Sequence, residues 1–255
     1  MNVIKRAKIW AKVLHALFVT FPGVPTEILG PEETVDCLKK GKSLIRFGDG
    51  EFGIFEGKDI HYQPWSEALQ KEFAYIKQDY EKDPGAAPYL LAVPKGFMTV
   101  SGFKLMKKRV YVSSWAQARL QFKKTFRRDI PYGDAFLFAK ENFPCYSRLW
   151  SGETAEETVI FVHNRQEFAE RFSATYGKKT FYIPCPAQNA YGDIDRLEQE
   201  ILSCLRREEL DAKDVCVVLS AGPAGKVLVY RLSQKGWHAI DAGHCWDDPL
   251  EGIET

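Results

Sequence analysis

Apolar runs alternate with amphipathic segments along most of this chain, a pattern typical of α/β proteins. Short apolar runs bounded by turn-forming residues predict buried strands. The runs are SLIRF, YLLAVP, DAFLFA, TVIFVH, KTFYIPCP, VCVVLSA and HAIDAGH. Helical periodicity or helix-compatible composition predicts helices over residues 31–40, 66–83, 101–128, 193–210 and 226–236. The stretch GDGEF after the first run is predicted to be a loop.

The last third of the chain has the clearest order of elements. A strand, a helix and a second strand follow one another within about 30 residues, which is a βαβ unit. Such a unit requires parallel pairing, so we expect a mostly parallel sheet with helices on both faces. No repeat, low-complexity tract or linker interrupts the chain. We therefore expect a single α/β domain over residues 31–255, preceded by a helical segment over residues 1–30.

The N-terminal segment is amphipathic. On a helical projection, basic residues share one face and apolar residues occupy much of the rest. The basic residues are Lys5, Lys8, Lys12 and His15, and the apolar ones are Ile9, Trp10, Val13, Leu17 and Phe21. The uncharged run after Lys12 is too short to span a bilayer. Two interpretations stay open: residues 1–22 lie on an anionic membrane surface, or they pack on their own domain.

Composition narrows the class of partner. The chain has 255 residues, a formal net charge of +1 and 27% charged residues, so no global field points to nucleic acid. A small-molecule partner fits better. The six cysteines are scattered without a C-x-x-C pair, which indicates a reduced, cytoplasmic setting.

The GPAG stretch follows the sixth apolar run. Gly222 and Gly225 stand where a strand hands over to a helix, and free backbone N–H groups there favour an anion. Ligands of open α/β sheets lie at the carboxyl ends of strands, so the place suits a nucleotide. The P-loop and G-x-G-x-x-G patterns are both absent.

Two further chemical groups stand at predicted strand ends. Asp241 and His244 close the last strand, where they can serve as general base, metal ligand or sugar-hydroxyl acceptor. After the first strand, Asp49 and Glu51 stand two residues apart. In extended geometry they share one face and can converge on one ion, usually Mg²⁺ or Mn²⁺. Arg46 can bind a phosphate or hold one of the carboxylates.

Three blocks carry a resemblance to a known family. SLIRFGDGEF, CPAQNAY and GPAGKVLVYRLSQKGWHAIDAGH resemble, in order, the motifs of the GT-D type glycosyltransferases of bacterial glycan and glycoprotein glycosylation loci. The resemblance extends over residues 43–244. It implies a Rossmann-like α/β fold, a UDP-sugar donor, and Mn²⁺ or Mg²⁺ bound through the D-x-E motif formed by Asp49 and Glu51.

The residue patterns and the resemblance together assign expected roles to individual residues. The expected nucleotide-sugar ligands are Arg46, Phe47, Gly48, Gly50, Asn189, Gly222, Pro223, Ala224 and Gly225. Asp241 or His244 is expected to accept the proton of the acceptor hydroxyl. The function expected is transfer of a hexosyl group from a UDP-sugar to a surface-polysaccharide or glycoprotein glycan. A lipid-linked acceptor at the inner face of the membrane follows if residues 1–22 contact that surface.

Two other classes of function stay open from the residues alone. A non-catalytic nucleotide- or phosphate-binding module can use the same glycine stretch without needing Asp49 and Glu51 for turnover. A metal-dependent phosphoesterase generally needs more carboxylate or histidine ligands than these blocks offer.

Overall fold

The structure is a computed structural model that describes residues 3–152 and 156–246. Residues 1 and 2, the start of the predicted N-terminal segment, lie outside the described residues. So do residues 247–255, the end of the predicted 31–255 domain.

Seven parallel strands form one sheet. They are β1 (Ser43–Arg46), β2 (Tyr89–Val93), β3 (Gly133–Asp134), β4 (Thr158–His163), β5 (Lys179–Pro184), β6 (Val215–Leu219) and β7 (His238–Asp241). Their order across the sheet is β3-β2-β1-β7-β6-β4-β5. Every residue of β2, β4 and β6 is buried, as expected for a sheet covered by helices on both faces. The predicted Rossmann-like α/β fold is confirmed.

Helices connect the strands. They are α1 (Val3–Val19), α2 (Pro31–Lys39), α3 (Asp49–Phe55), α4 (Glu67–Lys82), α5 (Lys95–Thr99), α6 (Gly102–Met106), α7 (Arg109–Thr125), α8 (Phe143–Tyr146), α9 (Gln166–Tyr176), α10 (Ile194–Arg207) and α11 (Gly222–Ser233). Short 3-10 turns cover Lys140–Asn142, Ser147–Leu149 and Ala190–Asp193. The local sequence explains where several of these helices begin or end. For example, the Ser66 hydroxyl accepts the Leu69 N–H at 3.2 Å and caps α4.

The predicted strand DAFLFA is wrong over most of its length. Only Asp134 belongs to β3, and the chain turns directly afterwards. The Asp134 carboxylate accepts the backbone N–H groups of Phe136 at 3.0 Å and Lys95 at 3.2 Å. A side chain that binds the backbone two residues on folds the chain into a turn, whatever the apolar content of the next residues.

The GDGEF stretch is not a loop, and the expectation of extended geometry at Asp49 and Glu51 was wrong. These residues form the first turn of α3, in which Glu51 Oε2 accepts the Gly48 N–H at 2.8 Å. This is the backbone half of a capping box, and it starts a helix directly after β1. GPAG is likewise the first turn of α11, with Pro223 near its start.

The order of the strands determines where a ligand can bind. From β1 the chain proceeds to β2 and β3 on one side, whereas β7, β6, β4 and β5 lie on the other. The sheet therefore reverses direction of growth between β1 and β7. A crevice forms outside the carboxyl ends of strands at such a point, and it is the usual ligand site of open α/β sheets.

Helix α1 packs on its own domain. Val13, Ala16 and Leu17 are buried against α7, and Arg119 of α7 donates to the Thr20 carbonyl. Of the two interpretations of residues 1–22, the structure therefore has the one in which this segment packs on its own domain. Among the described helices, none has the length and apolar content needed to cross a bilayer.

Candidate active site at the carboxyl edge of the sheet

A cavity of about 460 Å³ opens at the reversal point between β1 and β7. Segments that follow β1, β3, β4, β5, β6 and β7 line it, together with α7. The predicted site residues among its lining are Arg46, Gly48, Asp49, Gly50, Glu51, Gly222 and His244. These residues come from two of the three sequence blocks, and Pro186, Ala187 and Ala190 of the CPAQNAY block line the cavity beside them. The blocks meet because parallel strands direct all their carboxyl ends to the same edge.

Asp49 and Glu51 both line this cavity but differ in environment. Asp49 is an exposed residue at the start of α3, and Ser114 of α7 hydrogen-bonds its carboxylate. Loss of water around the carboxyl group, followed by the negative charge of Glu51, raises the pKa of Asp49. Glu51 is buried, with 6% of its surface exposed. A cation at Asp49 would relieve the repulsion between the two carboxylates.

A buried lysine stands behind the acidic pair. Lys226 Nζ lies 3.2 Å from Glu51 Oε1 and 3.1 Å from Asp241 Oδ2, which ties α11 to α3 and β7. Burial alone would lower the pKa of Lys226, but the charges of Asp241 and Glu51 outweigh it and the pKa is raised. Lys226 is therefore a permanent positive charge in the wall of the cavity.

Arg46 is held from two sides. Its Nε donates to the Asp241 carbonyl at 2.7 Å and its Nη1 donates to the Ala135 carbonyl at 2.8 Å. Gly243 has a positive φ of 54°, and a Cβ there would lie 1.9 Å from Arg46 Nη2. The guanidinium thus occupies the space that a side chain at position 243 would need. Arg46 is therefore a fixed positive charge at the cavity, and its contact with the nucleotide-sugar stays a prediction.

The amino terminus of α11 faces the cavity through Ser220, Ala221 and Gly222. Gly222 has a φ of 53°, and a Cβ there would lie 2.8 Å from the Tyr62 ring. The glycine therefore admits the Tyr62 ring to the wall of the cavity. The first-turn N–H groups of this twelve-residue helix give the site a partial positive charge.

The remaining predicted residues fall into two groups. His244 is exposed and lines the cavity, whereas Asp241 is fully buried beneath it, paired with Lys226 and with Arg46 at 3.6 Å. Phe47, Pro223, Ala224 and Gly225 also lie outside the cavity lining. Phe47 instead packs in an aromatic cluster with Phe55, Phe73 and Phe126.

Asn189 supports the cavity from outside its lining. Its Oδ1 accepts the Gln63 side-chain amide at 2.9 Å, and its backbone N–H donates to the Tyr62 carbonyl at 2.8 Å. Asn189 has a φ of 52°, a left-handed conformation that asparagine tolerates well. These contacts place Tyr62 and Gln63, both of which do line the cavity. Ligand contact by Asn189 itself stays a prediction.

Sequence reasoning missed several lining residues. They are Tyr62, Gln63, Trp115, His163, Asn164 and Lys226. His163 is the last residue of β4 and Asn164 directly follows it, so the rule that functional groups stand at the carboxyl ends of parallel strands would have found them. Tyr62 lies between α3 and α4, and Trp115 lies on α7. No local sequence pattern marks either residue as part of a site. Burial raises the pKa of Tyr62 to about 12, and the Glu51 charge adds to the rise.

The cavity fits a divalent cation by its donor chemistry. Carboxylate oxygens are the ligands that Mg²⁺ and Mn²⁺ prefer, and the raised pKa of Asp49 marks a place where positive charge is favoured. Glu51 shares its charge with Lys226, so Asp49 is the more accessible of the two carboxylates.

A second possible metal-ligand cluster lies at the opposite, amino edge of the sheet. It comprises Glu156, Cys216 and His238, whose ligand atoms lie within 4.8 Å of one another. His238 Nδ1 contacts Glu156 Oε1, and Cys216 is fully buried. Burial raises the pKa of the Cys216 thiol well above its usual value, which favours a neutral thiol beside a histidine–glutamate pair. This cluster is absent from the lining of the carboxyl-edge cavity.

The chain is of the class of parallel α/β domains that bind ligands at the carboxyl edge of the sheet, here with carboxylates, fixed cations and a helix terminus around one crevice. Comparison with known proteins narrows this class. Residues 174–248 match the family model for the glycosyltransferase GT-D fold. This match contains the CPAQNAY block and the GPAG block of the expected resemblance, and the chain has the GT-D fold.

Two curated relatives are streptococcal proteins. The chain is 25% identical over 238 residues to Glycosyltransferase GlyD of Streptococcus pneumoniae, covering 86% of this chain and 26% of the relative. It is 24% identical over 229 residues to the probable glycosyl transferase Gly of Streptococcus gordonii, covering 85% of this chain and 32% of that protein. The chain thus spans about a quarter to a third of the length of these two relatives.

Solved structures share the fold. A glycosyltransferase (DUF1792) from Streptococcus sanguinis superposes with a TM-score of 0.68 at 23% identity, covering 87% of this chain and 82% of that one. A second structure, described as a highly conserved domain of unknown function 1792 with a distinct glycosyltransferase fold, has a TM-score of 0.67 at 22% identity. It covers 93% of this chain and 83% of its own.

Proposed function

We propose that this chain is a metal-dependent glycosyltransferase. It moves a hexosyl group from a UDP-sugar to a hydroxyl of a glycan acceptor, a surface polysaccharide or the glycan of a glycoprotein. The observation that carries the proposal is the meeting of Asp49, Glu51 and the amino terminus of α11 at one cavity between β1 and β7. The GT-D fold and the relatives named as glycosyltransferases support the same chemistry.

The chemical problem is the leaving nucleotide, whose diphosphate gains negative charge as the glycosidic bond breaks. Asp49 and Glu51 are the residues that would hold Mn²⁺ or Mg²⁺. When bound, the ion supplies Lewis-acid stabilisation of that charge. Asp49 would hold the ion through an exposed carboxylate, and Glu51 through a buried one that lies next to Lys226.

The chain's own positive groups act on the same charge. The amino terminus of α11 meets the cavity at Ala221 and Gly222, where the helix dipole favours an anion. Arg46 is fixed by two carbonyls and Lys226 by two carboxylates, so both present their charge in a preset position. Preset charges stabilise a developing anion without the cost of reorienting solvent.

His244 is the proposed proton acceptor for the acceptor hydroxyl. It lines the cavity and is exposed, so an acceptor can reach its ring. Asp241, the other predicted base, is buried and holds Lys226 and Arg46. Its position suits an indirect part in catalysis, through the placement of those two cations.

The cellular setting belongs to the same proposal. A cytoplasmic UDP-sugar pool supplies the donor, and a lipid-linked glycan at the inner face of the membrane is the acceptor that a cytoplasmic enzyme can reach. No disulfide joins any of the six cysteines, all of which are described residues, as a reducing compartment permits.

The test measures the thermal midpoint with UDP, GDP or CMP, each with Mn²⁺ or with chelator. Ligand at about 100 times its dissociation constant stabilises by about 2.7 kcal/mol, which is several degrees for a domain of this size. We expect a shift only with UDP plus Mn²⁺. Asp49→Asn should abolish it, because the most exposed carboxylate of the site is lost.

The matched control is Asp211→Asn, which changes an exposed aspartate that precedes β6 and so lies toward the opposite edge. It should retain the full shift. Sugar release from UDP-hexoses, with and without Mn²⁺, then separates turnover from binding. A shift with nucleotide that needs neither metal nor Asp49 would instead support the non-catalytic nucleotide-binding module. No shift with any nucleotide would contradict both.

A further inference from the structure

Charge is strongly segregated along this chain. Residues 1–26 and 84–128 contain fourteen of the thirty-five Lys and Arg residues and none of the thirty-four Asp and Glu residues. The net charge of only +1 therefore hides a basic part and an acidic remainder. In the fold these two stretches come together, because α1 packs on α7 and α6 packs on α7. The basic residues of α1, α6 and α7 therefore lie near one another.

The same three helices expose most of the large apolar side chains that the fold leaves in solvent. They are Ile4 at 64%, Leu14 at 56% and Phe18 at 80% on α1, Phe103 at 71% and Met106 at 56% on α6, and Val110 at 59% on α7. Those on α1 follow a spacing of three and four through the exposed Ala7 and Ala11, so they form one stripe. The α1 residues that pack inward, Val13, Ala16 and Leu17, occupy a different face.

These elements form one surface. The Phe21 and Phe103 rings lie 4.7 Å apart, and the Gly102 N–H donates to the Phe21 carbonyl at 2.6 Å. The Arg109 guanidinium lies over the Trp10 ring at 4.9 Å. We call the exposed residues of α1, of α6, of the first turn of α7 and of the connection at 107–108 the basic apolar face. Its exposed Lys and Arg residues are Arg6, Lys8, Lys12, Lys107, Lys108 and Arg109.

We propose that the basic apolar face docks on an anionic lipid surface. Exposed aromatic and aliphatic side chains beside lysines and arginines, with no acidic residue among them, have the composition of an interfacial membrane-binding surface. A second copy of this chain is a poorer occupant, since a symmetric contact would bring like charges together. The positive charge of the face therefore favours an anionic bilayer over a second copy of this chain.

The basic apolar face adjoins the cavity. Val110 lies one helical turn before Ser114, which hydrogen-bonds Asp49, and Trp115 lines the cavity itself. Docking through this face therefore brings the cavity close to the lipid surface. The consequence for the acceptor rests on the proposed transferase function: the acceptor is an amphiphile whose lipid part stays in the bilayer while its sugar enters the cavity.

The test is sedimentation of the full chain with vesicles, without nucleotide or metal, so that it does not depend on transferase activity. We expect binding to vesicles of phosphatidylcholine with phosphatidylglycerol, weak binding to phosphatidylcholine alone, and loss of binding in high salt. Lys12→Glu and Lys107→Glu should each weaken binding at least about fivefold, the effect of roughly one surface charge. The double variant Phe18→Ser/Phe103→Ser should weaken it further.

Two variants serve as matched controls. Lys213→Glu changes an exposed lysine outside the face, and Phe143→Ser changes an exposed phenylalanine on α8. Both should bind vesicles like the unchanged chain, and all variants should keep its thermal midpoint. Equal binding by face and control variants would overturn the proposal, as would no vesicle binding by the unchanged chain. A dimer that Phe18→Ser/Phe103→Ser dissociates would also overturn it, in favour of a second copy.

Discussion

The two edges of the sheet each hold a carboxylate with a shifted pKa, and the two shifts have opposite directions. At the carboxyl edge, loss of water and the Glu51 charge raise the pKa of Asp49. At the amino edge, burial alone would raise the pKa of Glu156, but its contacts with His238 outweigh burial and the pKa is lowered. Asp49 is held beside a like charge, and Glu156 beside a partner that satisfies it.

This difference separates a site from a structural contact. In the amino-edge cluster, contact with His238 compensates the charge of Glu156. No residue of this cluster lines the cavity. The carboxyl edge has a cavity of about 460 Å³, a helix terminus and a carboxylate whose charged form is disfavoured. Groups that the fold leaves imperfectly compensated beside a cavity are candidates for ligand binding.

The largest change in the free energy of unfolding is expected from replacing the buried lysine at the carboxyl edge of the sheet. Lys226→Met leaves the buried carboxylates of Glu51 and Asp241 without their shared partner, so we expect a loss of about 3–5 kcal/mol of unfolding free energy. Chemical denaturation measures it. Lys213→Met, at an exposed position, should change stability by less than about 0.5 kcal/mol. Similar losses in the two variants would show that Lys226 does not compensate the buried pair.

An intermediate effect is expected at the amino edge. Glu156→Gln removes a charged partner of His238 and should cost about 1–3 kcal/mol near neutral pH. Because the pKa of Glu156 is lowered in the folded protein, its stabilisation is present above the ordinary glutamate value of 4.5 and is lost as pH falls through the lowered pKa. The difference between the two proteins should therefore shrink in acid. A difference that grows in acid would contradict the assigned shift.

Zn²⁺ binding at the amino edge can be measured separately from the effects of Mn²⁺ at the carboxyl edge. The Glu156, Cys216 and His238 cluster has the ligand types that zinc binds. A thermal shift with Zn²⁺ that His238→Ala removes and Asp49→Asn leaves intact would assign zinc to the amino edge. Mn²⁺ effects on nucleotide binding should show the reverse dependence.

The smallest effect, and the one with the opposite sign, is expected for Asp49→Asn without ligand. A carboxyl group whose pKa is higher in the folded protein stabilises it below the ordinary aspartate value of 3.8, and that contribution is lost as pH rises through the raised pKa. The asparagine amide does not ionise, so the variant avoids this loss of stability and should be slightly more stable at neutral pH. The gain should vanish in acid. Urea denaturation across pH measures it, and a variant less stable at neutral pH would contradict the assigned repulsion.

Much of the site was predictable because its residues follow strands. The block from Arg46 to Glu51 and the block from Gly222 both stand directly after apolar runs, and the structure brings both to the cavity. His163 and Asn164 obey the same rule and were overlooked. Tyr62 and Trp115 were not accessible to this reasoning, since neither stands at a strand end and their approach depends on packing between distant segments.

The sequence by itself determined most of the longer helices and most strands, because apolar residues recur along the chain with the period of the element they bury. It did not reveal α3 or α9. It also determined that several polar blocks would share one edge of a parallel sheet. Only the tertiary structure decided that β1 and β7 are neighbours, and hence that Asp49 and His244 line the same cavity. Only it showed that Asp241 is buried under that cavity and paired with Lys226. Strand order and ion pairing depend on contacts between residues far apart in the chain, and local periodicity carries no record of them.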